Sequence, residues 1–206
     1  MTSQLILAST SAYRQQLLRR LTIAFSVVAP GVDETPLLGE PPAQAARRLS
    51  VAKARAVAAL HPNAWVIGSD QTASLDGINI IGKPGDHDTA VSQLRAASGQ
   101  AMQVHTGLAL VHQRLGTEFV DVVDISIRFR DLSDAQIHAY LRREQPYDCA
   151  GSVKSEALGI AVLAAVVSSD PSALVGLPLI RLCDFLLAAG FDPITGSYGA
   201  PEPVNG

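Results

Sequence analysis

The chain has 206 residues, of which 48% are hydrophobic and 17% charged, and a formal net charge of −3. That is length enough for one sizeable core without staples, and the acidic balance excludes a basic nucleic-acid-binding coat. The longest apolar run, Ala157 to Val167, is too short to span a bilayer, and Met1-Thr2-Ser3-Gln4 lacks the segments of a secretion signal. The expectation is a cytoplasmic protein with neither nucleic acid nor membrane as partner. Cys149 and Cys183 have no metal-ligand spacing and read as free thiols.

In chain order, Leu5 to Ala8 is a buried strand that hands over to a helix from Ser11 to Leu21, with Leu17, Leu18 and Leu21 at helical spacing. Ala24 to Val28 is a second strand, and a Pro/Gly-punctuated loop containing Asp33-Glu34-Thr35 follows it. Ala43 to Leu60 is an alanine-rich helix with Lys53 in its interior. Trp65-Val66-Ile67 is a short buried strand running into Gly68-Ser69-Asp70, and weak strands surround the turn at Asp76-Gly77.

Asp88 to Ala97 is a further helix. Met102 to His112 and Phe119 to Arg128 make a hairpin joined near Gly116. Ser133 and Gln136 form a capping box for a helix through Arg143, and Pro178 and Gly190 bracket the last one. The expected organisation is one domain over residues 1–192 and a fraying tail over 193–206. Parallel and antiparallel signals together predict an α/β fold with a mixed sheet flanked by helices and a cleft at strand ends.

Five charged residues in or beside these connections suit a polyphosphate and a divalent metal: Arg14, Glu34, Lys53, Asp70 and Lys83. Several cations neutralise phosphates, while a hard metal takes carboxylate oxygens. Ser9, Thr10 and Ser11 stand at a helix N-terminus, where unpaired N–H groups accept an anion, and Arg14 could add a bidentate contact. Asp70 is the strongest single position. It follows three apolar residues, so its carboxylate stands at a buried strand end and must be solvated, paired or metal-bound. Lys83 lies in the rigid turn Gly82-Lys83-Pro84.

With these residues in this order the chain resembles the Maf-like nucleoside triphosphate pyrophosphatases from Leu5 to about Gly190. The matching stretches include Leu7-Ala8-Ser9-Thr10-Ser11, Asp33-Glu34-Thr35, Lys53-Ala54, Gly68-Ser69-Asp70-Gln71, Gly82-Lys83-Pro84, Thr106-Gly107, Ala150-Gly151-Ser152 and Gly176-Leu177-Pro178-Leu179. The resemblance implies hydrolysis between the α and β phosphates of a nucleoside triphosphate, with Mg²⁺ or Mn²⁺ as cofactor. Arg14, Lys53 and Lys83 would bind phosphates, and Glu34 and Asp70 would handle metal and water, with Asp70 as proton acceptor. The implied fold is a two-lobed, mixed sheet around a central cleft, often in a homodimer. Ala12 departs from the family, which commonly carries proline there.

Three further positions, Tyr13, Gln71 and Glu156, bear on the base. The aromatic Tyr13 together with Ser152-Val153-Lys154-Ser155-Glu156 resembles the subgroup that hydrolyses 7-methyl-GTP. A carboxylate can accept both N1–H and N2–H of guanine, whereas thymine and uracil offer N3–H alone. N7-methylation makes the purine cationic, which favours an aromatic face. The alternatives are a dTTP/UTP pyrophosphatase of the same family and a nucleotide-binding cell-division regulator with little turnover. No Gly-x-x-x-x-Gly-Lys-[Ser/Thr] loop and no Gly-x-Ser-x-Gly turn occurs, which disfavours kinase and serine-hydrolase chemistry.

Overall fold

A computed structural model of the chain describes residues 4–198. Six strands form one mixed sheet in the order β2-β1-β3-β4-β5-β6. They are β1 (Leu5–Leu7), β2 (Ser26–Val27), β3 (Trp65–Ser74), β4 (Ala101–His112), β5 (Thr117–Phe129) and β6 (Leu163–Ser168). β1 pairs in parallel with β2 and β3, and the remaining neighbours are antiparallel. Five helices flank them: α1 (Ala12–Arg19), α2 (Pro42–Leu60), α3 (His87–Ala97), α4 (Asp134–Glu144) and α5 (Leu179–Ala188).

Strand alternation divides the core. Ile6, Val66, Ala109 and Val111 face α2 and pack with Ala54, Val57 and Ala58. On the opposite face, Leu5, Leu7, Trp65, Ile67, Leu108 and Leu110 meet Leu17 and Leu18 of α1 and Leu182 and Phe185 of α5. A second cluster, which includes Ala73, Met102, Val104 and Ile125, packs with α3 and α4. Between these two clusters lies a polar band formed by Ser69, Gln71 and Thr106, three residues of the same strand phase.

Glycine sets the distance between α2 and the sheet. A Cβ at Gly68 would collide with Ser50 O and Ala54 N, and one at Gly107 with Ala46 O. Gly107 is the register partner of Asp70. Two bare positions therefore let α2 lie against the sheet where Asp70 faces it.

Several expected elements differ. β3 runs ten residues rather than stopping near Asp70, because its polar side chains find partners on both faces. After the turn at Asp76-Gly77 no second strand forms; Ile81 N simply donates to Ala73 O. β2 is two residues long, and β6, built from the run read only for its length, closes the sheet. Phe191–Asp192 pairs with Ser197–Tyr198, so the first part of the segment expected to fray folds back on itself. Its remainder, 199–206, and residues 1–3 lie outside the described residues.

Candidate active site

β1 ends at Leu7 beside Ile67, while β3 continues seven residues further along β4. Past Leu7 the flank of β3 has no strand neighbour among the described residues, and the cleft opens there. Asp70 thus stands in the middle of its own strand and beside the end of another. The expected strand-end position is corrected accordingly: the relevant end belongs to β1, which is where parallel sheets leave a ligand crevice.

Lys53, 4% exposed, projects from α2 into this gap. Its Nζ lies 2.6 Å from Asp70 Oδ1 and 2.7 Å from Glu34 Oε2. One ammonium therefore joins a buried carboxylate to an exposed one from a distant loop. Burial pushes the Asp70 pKa above the ordinary carboxylate value; Lys53 and Arg14 oppose that shift and Glu34 adds to it. The result is an unusually basic aspartate held by a cation.

Glu34 reaches the site through a supported loop. Asp33 does not face the chemistry: its carboxylate accepts the Thr35 N–H at 2.9 Å and shapes the turn. Arg48 of α2 donates to Thr35 O at 3.3 Å and makes a two-point pair with Glu40 at 2.6 and 2.7 Å. Nothing in the local sequence singles out Arg48, since its partners lie across the loop.

At the start of α1, Ser11 is the N-cap and accepts from Arg14 N at 3.4 Å, while the buried Ser9 accepts from Ser11 N at 3.2 Å. Arg14 is half-buried and donates Nε to Gly176 O at 2.8 Å, which leaves its terminal nitrogens to the cleft. Loss of water lowers its pKa, and Asp70 and Glu34 pull the other way. Lys83 is exposed at the rim and forms no ion pair among the described residues. Its turn is tied down by Gly85 N to Tyr147 O at 3.0 Å and by Gln93 Nε2 to Gly82 O at 3.1 Å.

The polar band grips the segment that holds Arg14. Ser69 Oγ donates to Gly176 O at 2.9 Å, and Thr106 Oγ1 to Ala173 O at 2.9 Å. Gln71 Nε2 donates to Thr106 Oγ1, Ala173 O and Leu174 O, so its Oε1 is what it can offer the cavity. Asp170, 2% exposed, anchors the same segment by accepting from Ser172 Oγ at 2.6 Å and Ile180 N at 2.7 Å. Asp170 is a support that sequence reasoning missed, and Thr106, noted only within the Thr106-Gly107 stretch, was given no role there.

Two adjoining hollows of about 370 and 420 Å³ share Ser11, Tyr13, Arg14, Glu34, Lys53 and Lys83. Ser9 lines the first; Asp70, Gln71 and Glu156 line the second. Every residue singled out from the sequence therefore borders one continuous cleft. A larger hollow of about 1020 Å³ beside Leu21–Phe25 has no charged residue in its lining among the described residues. Cys149 lines the cleft, where burial, with Asp148 and Glu156 nearby, pushes its thiol up to about 12 and so disfavours the thiolate.

The donor set fits a divalent ion. Glu34 and Asp70 approach one point closely enough to share an ammonium, yet no group of three or more His, Cys, Asp or Glu forms a metal cage among the described residues. Two carboxylates without a cage suit an ion that draws its other ligands from phosphates and water.

Sheet and cleft together define a mixed α/β protein with a crevice at the end of a parallel strand, lined by Arg14, Lys53, Lys83, Glu34 and Asp70. The Maf-like protein family model matches residues 4–189, and the chain belongs to that family. A protein named 7-methyl-GTP pyrophosphatase from Methylobacillus flagellatus is 53% identical over 190 residues, covering 92% of this chain and 98% of that one. Proteins of the same name from Albidiferax ferrireducens and Bordetella parapertussis are each 54% identical, covering 91% and 94% of this chain and 94% and 96% of their own. Among solved structures, the Staphylococcus aureus Ham1 protein matches 63% of this chain and 73% of its own, with a TM-score of 0.45 and 14% identity.

Proposed function

We propose that this chain is a nucleoside triphosphate pyrophosphatase that hydrolyses 7-methyl-GTP to the nucleoside monophosphate and pyrophosphate, removing modified nucleotide from the pool. The observation that carries the reading is the junction at Lys53, whose ammonium sits between Glu34 and Asp70 in a cleft also lined by Arg14 and Lys83. A triphosphate brings about four negative charges, which three side-chain cations and one divalent ion offset.

Asp70 takes the proton of the attacking water. Its burial makes it a better base, and the Lys53 pair supports the ionised form it must have to act. Arg14, Lys53 and Lys83 hold the phosphates so that water meets the α phosphorus in line with the departing pyrophosphate. Glu34 and Asp70 would hold Mg²⁺ or Mn²⁺, which supplies charge neutralisation of the phosphate oxygens. Ser9 and Ser11 line the anion end through the helix start.

Glu156, Tyr13 and Gln71 all line the second hollow. A carboxylate there suits the paired donors of guanine, and a tyrosine face suits a cationic ring. The names of the relatives support the same choice. The reading extends to a cytoplasmic homodimer, which light scattering and cell fractionation check. Pyrophosphate release from 7-methyl-GTP, GTP, dTTP, UTP and ITP tests the whole. The highest kcat/KM falls on 7-methyl-GTP; a maximum on dTTP or UTP selects the pyrimidine branch, and no release from any makes the chain a binding protein.

A further inference from the structure

We infer that the ion pair between Glu144 and Lys154 sets the charge preference of the base end of the cleft: Glu144 cancels the ammonium that Lys154 holds over the Tyr13 ring, so that the ring's surroundings accept a cationic purine. This rests on the base-reading role given above to Tyr13 and Glu156.

Lys154 Nζ lies 5.6 Å from the Tyr13 ring centroid, a cation–π placement, and 3.2 Å from Glu144 Oε1. The Glu144 side chain is 11% exposed and that of Lys154 28%, so neither charge is fully screened by water. A cationic base stacked at Tyr13 would meet that ammonium at short range. Unneutralised, a like charge beside the ring in partly screened surroundings weakens binding by up to about tenfold. A neutral guanine carries the same phosphates but not the ring charge, so it escapes this penalty.

The same carboxylate also fixes the reading loop. Glu144 Oε2 accepts Leu158 N at 2.9 Å, and the Tyr140 hydroxyl accepts Lys154 N at 3.2 Å. Residues 154 and 158 bracket Glu156, so the last turns of α4 hold the backbone on both sides of it. Charge cancellation and loop support are separable, because a glutamine at 144 keeps an acceptor for Leu158 N and loses only the charge.

The experiment measures kcat and KM for 7-methyl-GTP and GTP in the purified protein with Mg²⁺, in Glu144→Gln, Lys154→Met and the double variant, with melting temperatures to verify folding. Glu144→Gln lowers the 7-methyl-GTP to GTP ratio of kcat/KM by up to about tenfold, chiefly through KM for the methylated substrate. Lys154→Met leaves Glu144 anionic and raises the ratio, and the double variant returns it to at least the parent value. An unchanged ratio in Glu144→Gln, a fall in Lys154→Met, or a double variant as low as Glu144→Gln overturns the inference. A parent with no preference for 7-methyl-GTP removes instead the base reading on which it rests.

Discussion

Asp70 is held between opposing effects, and their balance separates its role in folding from its role in chemistry. Burial raises its pKa in the folded chain above the unfolded value. Its contribution to stability is therefore complete below the unfolded pKa and is lost as pH rises through the folded pKa. At neutral pH the ionised carboxylate works against folding. Asp70→Asn accordingly reduces pyrophosphate release by at least about a hundredfold, yet in chelator it melts no lower than the parent; a lower melting temperature contradicts this balance. Glu156→Gln gives a second check, a fall in the preference for 7-methyl-GTP over pyrimidine triphosphates at comparable kcat. That Asp70 borders the cleft was legible because a carboxylate follows a buried run, although its strand does not end there. That its partner is Lys53 was not, since a lysine inside an alanine-rich helix has no local mark of burial.

At the scale of elements, two adjacent strands and one helix fix the site, and glycine is what brings them together. A methyl at Gly107 collides with the α2 backbone opposite Asp70. Gly107→Ala therefore costs about 1–3 kcal/mol of stability and, by moving Lys53 away from Asp70, also lowers kcat; denaturant unfolding and turnover together measure this. On the other face, Thr106→Val removes one of the donors to Ala173 O and the hydroxyl that accepts from Gln71 Nε2, and so loosens the segment that positions Arg14. KM for every triphosphate rises about fivefold, and Thr106→Ser restores it. The helices and the β4–β5 hairpin were readable from periodicity and capping. The full length of β3 was not, because Ser69-Asp70-Gln71-Thr72 looks like a loop until its partners on both faces are known.

For the molecule as a whole, the two apolar clusters on one sheet face are bridged by a polar band rather than by more core. These clusters hold the structure independently of the carboxylates Glu34 and Asp70, which meet Lys53 of α2 on the opposite face. Removing divalent ions with a chelator therefore abolishes pyrophosphate release while leaving the unfolding transition in place, and re-addition restores activity. Simultaneous loss of the fold on chelation contradicts this picture. The mixed sheet was legible from the strand signals, but the cleft depends on where β1 stops relative to β3, a matter of register that no single segment encodes.

Lys53 seated between Glu34 and Asp70 also carries a consequence for the proposed function. Under that proposal its ammonium would act as a placeholder, discouraging a lone divalent ion by occupation and a lone triphosphate by the carboxylates beside it. Only the two arriving as a neutralised pair can shift the placeholder onto phosphate. Calorimetry then records weak uptake of Mg²⁺ alone and tight uptake with a non-hydrolysable triphosphate, making the cleft a coincidence detector for its own substrate complex.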